Sequence, residues 1–300
     1  VNQFRVASLS VLVGICVFAL KWYAYWLTDS IALYSDALES VVNIVAATVA
    51  FIALWISHRP VDHNHPYGHT KAEYFSAGFE GALIVVAALV IIYEAGGRLL
   101  TPTPLASVGI GVFVSLAASG LNTLLAIHLI YTGKSHQSPA LKADGLHILS
   151  DVITSVGVLI GIGLAWLTGW WILDPLMAFL VALNILWMGG RLLNESISGL
   201  MDEGMTAEEL SLLNKIIAAN MQGALQVHQL KTRRAGSITF IEFHLVVPAE
   251  MTVKVAHDIC NRLEGVLQQT LPRTEIVIHI EPESEVEQQR VISPTMATEL

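Results

Sequence analysis

The chain has 300 residues, of which 54% are hydrophobic and only 14% charged, and its mean hydropathy is +0.60. Soluble domains average about 25% charged residues, so a mostly water-solvated protein is excluded and most of the chain is expected in lipid. The formal net charge of −9 argues against nucleic acid as a partner. The two cysteines, Cys16 in an apolar run and Cys260 in a polar one, read as buried thiols rather than a disulfide or a metal motif.

A spanning helix needs roughly 20 mostly apolar residues. Six stretches qualify: about residues 6–28, 31–57, 75–99, 106–132, 146–168 and 171–194. Arg5 precedes the first as in a signal peptide, but no small-residue cleavage site closes the run and further runs follow, so it reads as a span. Thr28-Asp29-Ser30 ends the first helix and can cap the second, and Arg59-Pro60 ends the second. Thr101-Pro102-Thr103-Pro104 separates the third from the fourth, the stretch from Gly133 to Pro139 the fourth from the fifth, and Thr168-Gly169 with Asp174-Pro175 the fifth from the sixth. Arg5, Arg59, Lys71, Lys134, Lys142 and Arg191 fall on one side, against Arg98 and Lys21 towards the other. The positive-inside rule then puts both termini, and the loop between the second and third helices, in the cytoplasm.

Composition changes after Arg191. Residues 202–300 hold 8 Lys/Arg and 14 Asp/Glu, which reads as a soluble acidic domain. Thr206-Ala207-Glu208-Glu209 is a capping box opening an amphipathic helix to about Met221. Residues 225–234 read as a strand, Gly236 as a turn, and residues 238–247 alternate as a second strand. Thr252 can cap a second helix to about Leu271, and residues 275–281 alternate again. The α-β-β-α-β order predicts a small sheet with helices on one face. The expected division is 1–201 for a six-helix membrane domain, 202–282 for a soluble α+β domain and 283–300 for a polar, disordered tail.

The chemistry sits first in the membrane runs. His147 and Asp151 are four residues apart, so on a helix they share one face. Glu39 and Asn43 repeat the spacing in the second run. Ionisable groups at membrane depth are expensive and usually mark an ion path, so two such pairs suggest one four-ligand site. One nitrogen with oxygens suits zinc, and can suit iron(II), cobalt, cadmium or manganese. The competing interpretation is hydrogen bonding between helices, which for the neutral Asn43 weighs as much as a ligand role. Asp36 shares that face and can be a ligand, an acceptor behind the ligands or a cap. Glu80 in the third helix is either a pathway residue or a buried ion-pair partner.

The loop from Asp62 to His69 concentrates further ligands, with His63, His65 and His69 in it and His58 just before, against the plain alternative of a solvated polar loop. In the soluble domain, alternation puts Ile241, Phe243 and Leu245 on one strand face and Glu242 and His244 on the other. In the last strand it opposes His279 and Glu281 to Ile276, Ile278 and Ile280. His228 lies in the first strand and His257 beside the apolar stripe of the second helix. Each histidine alone is ordinary surface chemistry; several converging with a carboxylate favour a metal.

The segments Asp36-Ala37-Leu38-Glu39-Ser40 with Asn43, Asp62-His63-Asn64-His65-Pro66-Tyr67-Gly68-His69-Thr70-Lys71-Ala72-Glu73, and Asp144-Gly145-Leu146-His147-Ile148-Leu149-Ser150-Asp151 resemble the cation diffusion facilitator family, in particular its bacterial zinc/iron exporter branch of the ferrous-iron efflux pump type. The resemblance covers nearly the whole chain except the tail. It implies a ferredoxin-like cytoplasmic domain after the six helices, and a homodimer in the bacterial inner membrane that exchanges cytoplasmic divalent metal, zinc foremost, for protons. By motif position it implies a transport site of Glu39, Asn43, His147 and Asp151, and a loop site of Asp62, His65 and His69. It further implies a binuclear site at the dimer interface using His228, His244, His257, His279 and Glu281, and a charge interlock between Lys71 and Asp202. The departure is at Glu39 and Asn43, where the family more often has His or Asp and then Asp. A neutral Asn43 removes one anion and leaves room for Asp36. An imidazole's ordinary pKa of about 6.5 suits proton-for-metal exchange. A membrane-bound sensor or scaffold that binds metal without moving it is the alternative, while a metalloprotease is disfavoured because no His-Glu-x-x-His motif occurs.

Overall fold

The computed structural model describes residues 3–28, 31–100, 110–170 and 172–285, and at some helical positions, Asp36 and Glu39 among them, the backbone only. The expectations for Asp29, Ser30, residues 101–104 and the tail from 286 onward lie outside the described residues. The chain forms two compact units, Val1–Ile197 and Ser198–Leu300.

The first unit contains α1 (Gln3–Thr28), α2 (Ile31–Ser57), α3 (Ala72–Leu100), α4 (Ile110–His136), α5 (Pro139–Thr168) and α6 (Leu173–Leu200), the last turn of which passes into the second unit. These are the six expected helices. Among the described residues, Gln3–Tyr23, Ala72–Gly97, Leu116–His136 and Pro175–Leu200 are long and apolar enough to cross a membrane, and α2 adds the shorter apolar run Asn43–Ser57. In hydrocarbon each backbone amide must be satisfied within its own segment, which selects helices. Large apolar side chains cover the outside, including Leu12, Tyr93, Leu124 and Trp187. Cys16 is among the exposed residues on α1, so only Cys260 is the buried thiol expected. An apolar outer surface is the stable one in lipid, so a cysteine there meets no penalty.

α5 lies at the centre of the unit and packs on α2, α3 and α4. Its Leu141 and Ile148 join a cluster with Val6, Leu54 and Leu129, and its Ala143 joins another with Ile84, Ile185 and Leu192. It begins at Pro139 rather than near residue 146. Proline was expected to break the chain here, but it sits in the first turn, where its missing N–H is no loss. Ser138 caps that turn by accepting the Leu141 N–H at 3.4 Å. Pro175 is likewise within the first turn of α6, and α4 continues to His136, so the expected breaks shrink. Small residues let α4 and α5 approach closely. A Cβ on Gly133 would fall 2.6 Å from the Lys142 backbone nitrogen, and one on Gly145 2.9 Å from that of Ile130.

The second unit contains α7 (Ala207–Asn220), β1 (Gln226–Ala235), β2 (Ile238–Val247), α8 (Val253–Thr270) and β3 (Thr274–Pro282), followed by a 3-10 turn at Glu283–Glu285. The capping box at Thr206 and Glu209 is present in both directions, and Thr252 caps α8. The sheet order is β1-β2-β3, with β1 antiparallel and β3 parallel to β2. Leu213 and Ile217 of α7, Ile259, Leu263 and Leu267 of α8, and Val227, Ile241, Phe243 and Leu245 of the sheet form one buried core. Burying each such side chain is worth about 1.5–3 kcal/mol, and a one-residue slip would turn a whole strand's set outward. That fixes which strand residues face away from the helices.

Candidate metal centres

The sheet face opposite the helices carries the first centre. His244 pairs in register with His228 on β1 and with His279 on β3, so three imidazoles lie in a row across the strands. A β-bulge between His228 and Lys231, with Gln229 at φ 51°, sets this alignment. Continued without the bulge, the ladder from the hairpin end would oppose His228 to Leu245 and turn it toward the helices. Glu281, two residues beyond His279, gathers the row. Its Oε2 lies 2.9 Å from His228 Nε2 and its Oε1 2.7 Å from His244 Nδ1. The His279 ring is farther, 3.7 Å from Oε1, and 65% exposed.

His228, His244 and Glu281 place one ligand atom each within 4.8 Å of one another. The donor set of two nitrogens and a carboxylate suits zinc and its neighbours. His228 is 2% exposed, and its Nδ1–H donates to Gln226 Oε1 at 3.1 Å. That bond orients the ring with Nε2 toward Glu281, so that a metal held there would take the Nε2 lone pair while Nδ1 keeps its proton, the usual way a protein orients a metal-binding imidazole. Gln226 was missed in the sequence; the signal is its position two residues before His228, which in a strand means the same face. His257 does not join: it is exposed on α8, which packs on the other side of the sheet. Its place beside the apolar stripe puts it at the edge of the core, not across it.

The second centre is in the loop between α2 and α3. Asp62 Oδ1 accepts the backbone N–H groups of Asn64 (2.9 Å) and His65 (2.7 Å) and lies 3.0 Å from His65 Nδ1. Its Oδ2 lies 3.2 Å from His69 Nε2, and the His65 and His69 rings are 4.4 Å apart. Desolvation works to raise the Asp62 carboxyl, but the His65 and Asn64 amides and the His65 ring outweigh it and hold the group below its ordinary range. Gly68, at φ 80°, turns the chain so that His69 comes back to Asp62. His63 is exposed and outside this group. His58 instead places Nδ1 2.9 Å from the Leu54 carbonyl and its ring 4.8 Å from Phe4, a packing role.

The third centre is within the helices. Asn43 Nδ2 donates to Asp151 Oδ2 at 2.5 Å, and His147 Nε2 donates to Asn43 Oδ1 at 3.1 Å. The amide of α2 thus joins the imidazole and the carboxylate of α5. His147 is buried, and Ser150 Oγ donates to its carbonyl at 2.8 Å. Asn43 also lines a small cavity in which Ser10, Ser40 and Asn122 are the other polar residues and Val17, Leu125 and Ile148 are apolar. Of the two interpretations of Asn43, the hydrogen bond between helices is the one present here. The side chains of Glu39 and Asp36 lie outside the described residues.

Lys71 belongs to the first unit, while Asp202 belongs to the second, where its Oδ1 accepts from Arg233 Nη1 at 3.4 Å. Glu73, not singled out as a site, is buried at the start of α3. Its carboxylate accepts from Ser57 at 3.0 Å and from Ser138, tying the end of α2 to the cap of α5.

The profile of the cation efflux transmembrane domain matches residues 7–201, and that of the cation efflux protein cytoplasmic domain matches residues 205–283. An uncharacterized transporter of Synechocystis sp. is 44% identical over 276 residues, 92% of this chain and 89% of its own length. The cation-efflux pump FieF of Klebsiella pneumoniae is 30% identical over 282 residues, 94% of this chain and 93% of the pump. Among solved structures, the Zn form of CzrB is 44% identical, covering 29% of this chain and all but 1% of its own (99%), with a TM-score of 0.28. The metal-bound C-terminal domain of the CzcD transporter from Thermotoga maritima is 29% identical, covering 28% of this chain and 100% of its own, with a TM-score of 0.25.

Proposed function

The chain belongs to the cation efflux family, whose members are membrane transporters rather than enzymes, and on that premise we propose that it exports divalent metal from the cytoplasm in exchange for protons, with zinc as its foremost cargo. The observation that carries this is the Asn43 amide held between His147 Nε2 and Asp151 Oδ2 beside a small cavity. Without metal, the Asn43 amide links the two groups by one hydrogen bond to each. A metal needs the imidazole lone pair and the carboxylate oxygen, so its arrival breaks both bonds and frees Asn43 Oδ1 as a neutral ligand. Glu39, one turn before Asn43 on α2, supplies the fourth ligand, and Asp36 stands behind it. A proton arriving from the outer side competes for His147 and Asp151, releases the metal and returns inward.

The Asp62, His65 and His69 loop and the His228, His244 and Glu281 cluster hold further ions on the cytoplasmic side. His279 completes the latter centre within the chain, and His257 is contributed to it across a homodimer. The charge distribution supports cytoplasmic termini, and the bacterial relatives support an inner membrane. The test is zinc uptake into inverted vesicles under an imposed pH gradient. Flux by the Asp151→Ala protein at the wild-type rate overturns the transport-site assignment. Zinc binding with no flux by the wild type supports a sensor or scaffold instead.

A further inference from the structure

Two carboxylates in the helical unit have no part in the transport site. Glu80 on α3 is fully buried and Asp144 on α5 is 1% exposed. Ala77 and Ile84, on either side of Glu80, share one buried cluster with Ala143, the neighbour of Asp144, so the packing of α3 on α5 brings the two carboxylates to the same region. Glu80 Oε1 accepts from Ser76 at 3.2 Å, whereas Oε2 has no hydrogen-bond partner among the described residues. Both Asp144 carboxylate oxygens likewise have no hydrogen-bond partner among the described residues. Burying two like charges against each other is strongly unfavourable unless something neutralises them.

We propose that Glu80 and Asp144 form a second cation-binding site in the membrane, a staging point for the divalent ion before it reaches Asn43, His147 and Asp151. The inference rests on the exporter reading and adds to it where the cargo pauses. Position supports it. Asp144 is three residues before His147 on α5, about one helical turn, and lies nearer the Pro139 end of that helix. Ser10, whose buried hydroxyl also has no hydrogen-bond partner among the described residues, lines the cavity together with Asn43. On α3, Glu73 lies seven residues before Glu80, two turns toward the Ala72 end. Carboxylates therefore stand at successive depths: buried Glu73 at the helix start, buried Glu80 with Asp144 further in, and half-buried Asp151 beyond.

Chemistry supports it as well. Two carboxylates match the charge of one divalent ion. Their donors are oxygen only, so the site holds a zinc-like ion less firmly and less selectively than one with an imidazole. A conduction path needs that gradation, since each stop must be favourable enough to enter and weak enough to leave.

The test uses the full chain in liposomes, with zinc as the probe and flux measured against zinc concentration. Glu80→Gln and Asp144→Asn keep shape and remove one charge each. Both are expected to raise the KM for zinc on the order of tenfold while leaving the maximal rate within about twofold, and Glu80→Asp should recover most of the loss. Unchanged elution volume and unchanged zinc binding by the His228, His244 and Glu281 cluster check folding, and if one amide variant does not fold the other is decisive. An unchanged KM in the folded variants overturns the site, as does a fall in maximal rate alone, the result expected of a pair that only shares a proton. Absence of flux in the wild type overturns the exporter reading itself, which separates the two failures.

Discussion

Gln226 offers the sharpest test of how the soluble unit holds metal. Its Oε1 accepts the His228 Nδ1–H at 3.1 Å, in a site where His228 is 2% exposed. Gln226→Ala removes the acceptor that holds the proton on Nδ1 of a buried ring, a loss of about 1–3 kcal/mol. The ring is then free to carry its proton on Nε2, the atom 2.9 Å from Glu281, and that proton must leave before a metal binds. Loss of such an outer partner weakens metal binding by about 10–100-fold, or about 1.4–2.8 kcal/mol, which agrees in size with the lost acceptor. The assay is zinc titration of full-length protein carrying Asp62→Ala and Asp151→Ala, so that the other two centres are silent. Gln226→Ala should raise the Kd by that factor. Gln226→Glu keeps an acceptor oxygen in place and should stay within about threefold of the parent. An Ala variant within about twofold of the parent, or a Glu variant as weak as the Ala variant, refutes the reasoning.

Asn43→Leu deletes both the donor to Asp151 and the acceptor for His147, so zinc transport should fall by about tenfold or more, whereas Asn43→Asp should retain flux and bind zinc more tightly, as read by flux against zinc concentration. Gly145→Val would force a side chain against the Ile130 backbone; a loss of about 1–3 kcal/mol should appear as a lower Tm of the full chain in detergent. Thr206→Ala removes one arm of the α7 capping box, costing about 1 kcal/mol, and should speed hydrogen exchange of the Glu209 amide about fivefold. Asp62 is held below its ordinary range, so the order it gives the loop is present above the unfolded value of about 3.9 and is lost as pH falls through the lowered one. The NMR shifts of the Asn64 and His65 amides in metal-free protein should therefore move only at a pH below that ordinary value.

What could be read from the chain alone was whatever is decided within a few neighbouring residues. Six apolar runs became six helices because backbone satisfaction in lipid is a property of each segment. The Thr206–Glu209 box and the alternation of residues 238–247 act within one turn or one strand, and both appear as expected. The same locality misled at Pro139, where a residue that interrupts helices elsewhere begins α5 because Ser138 caps it. Ligand convergence needed tertiary structure. His228 reaches His244 only because a bulge at Gln229 changes its register, while His257 was near in pattern yet lies with α8 on the opposite side of the sheet. Asn43 meets His147 and Asp151 from residues more than a hundred positions away (104 and 108) through the packing of α2 on α5. The physical reason is range: hydrophobic periodicity and caps act along the backbone, whereas a coordination sphere is assembled by side chains whose distances are set by how separate elements pack.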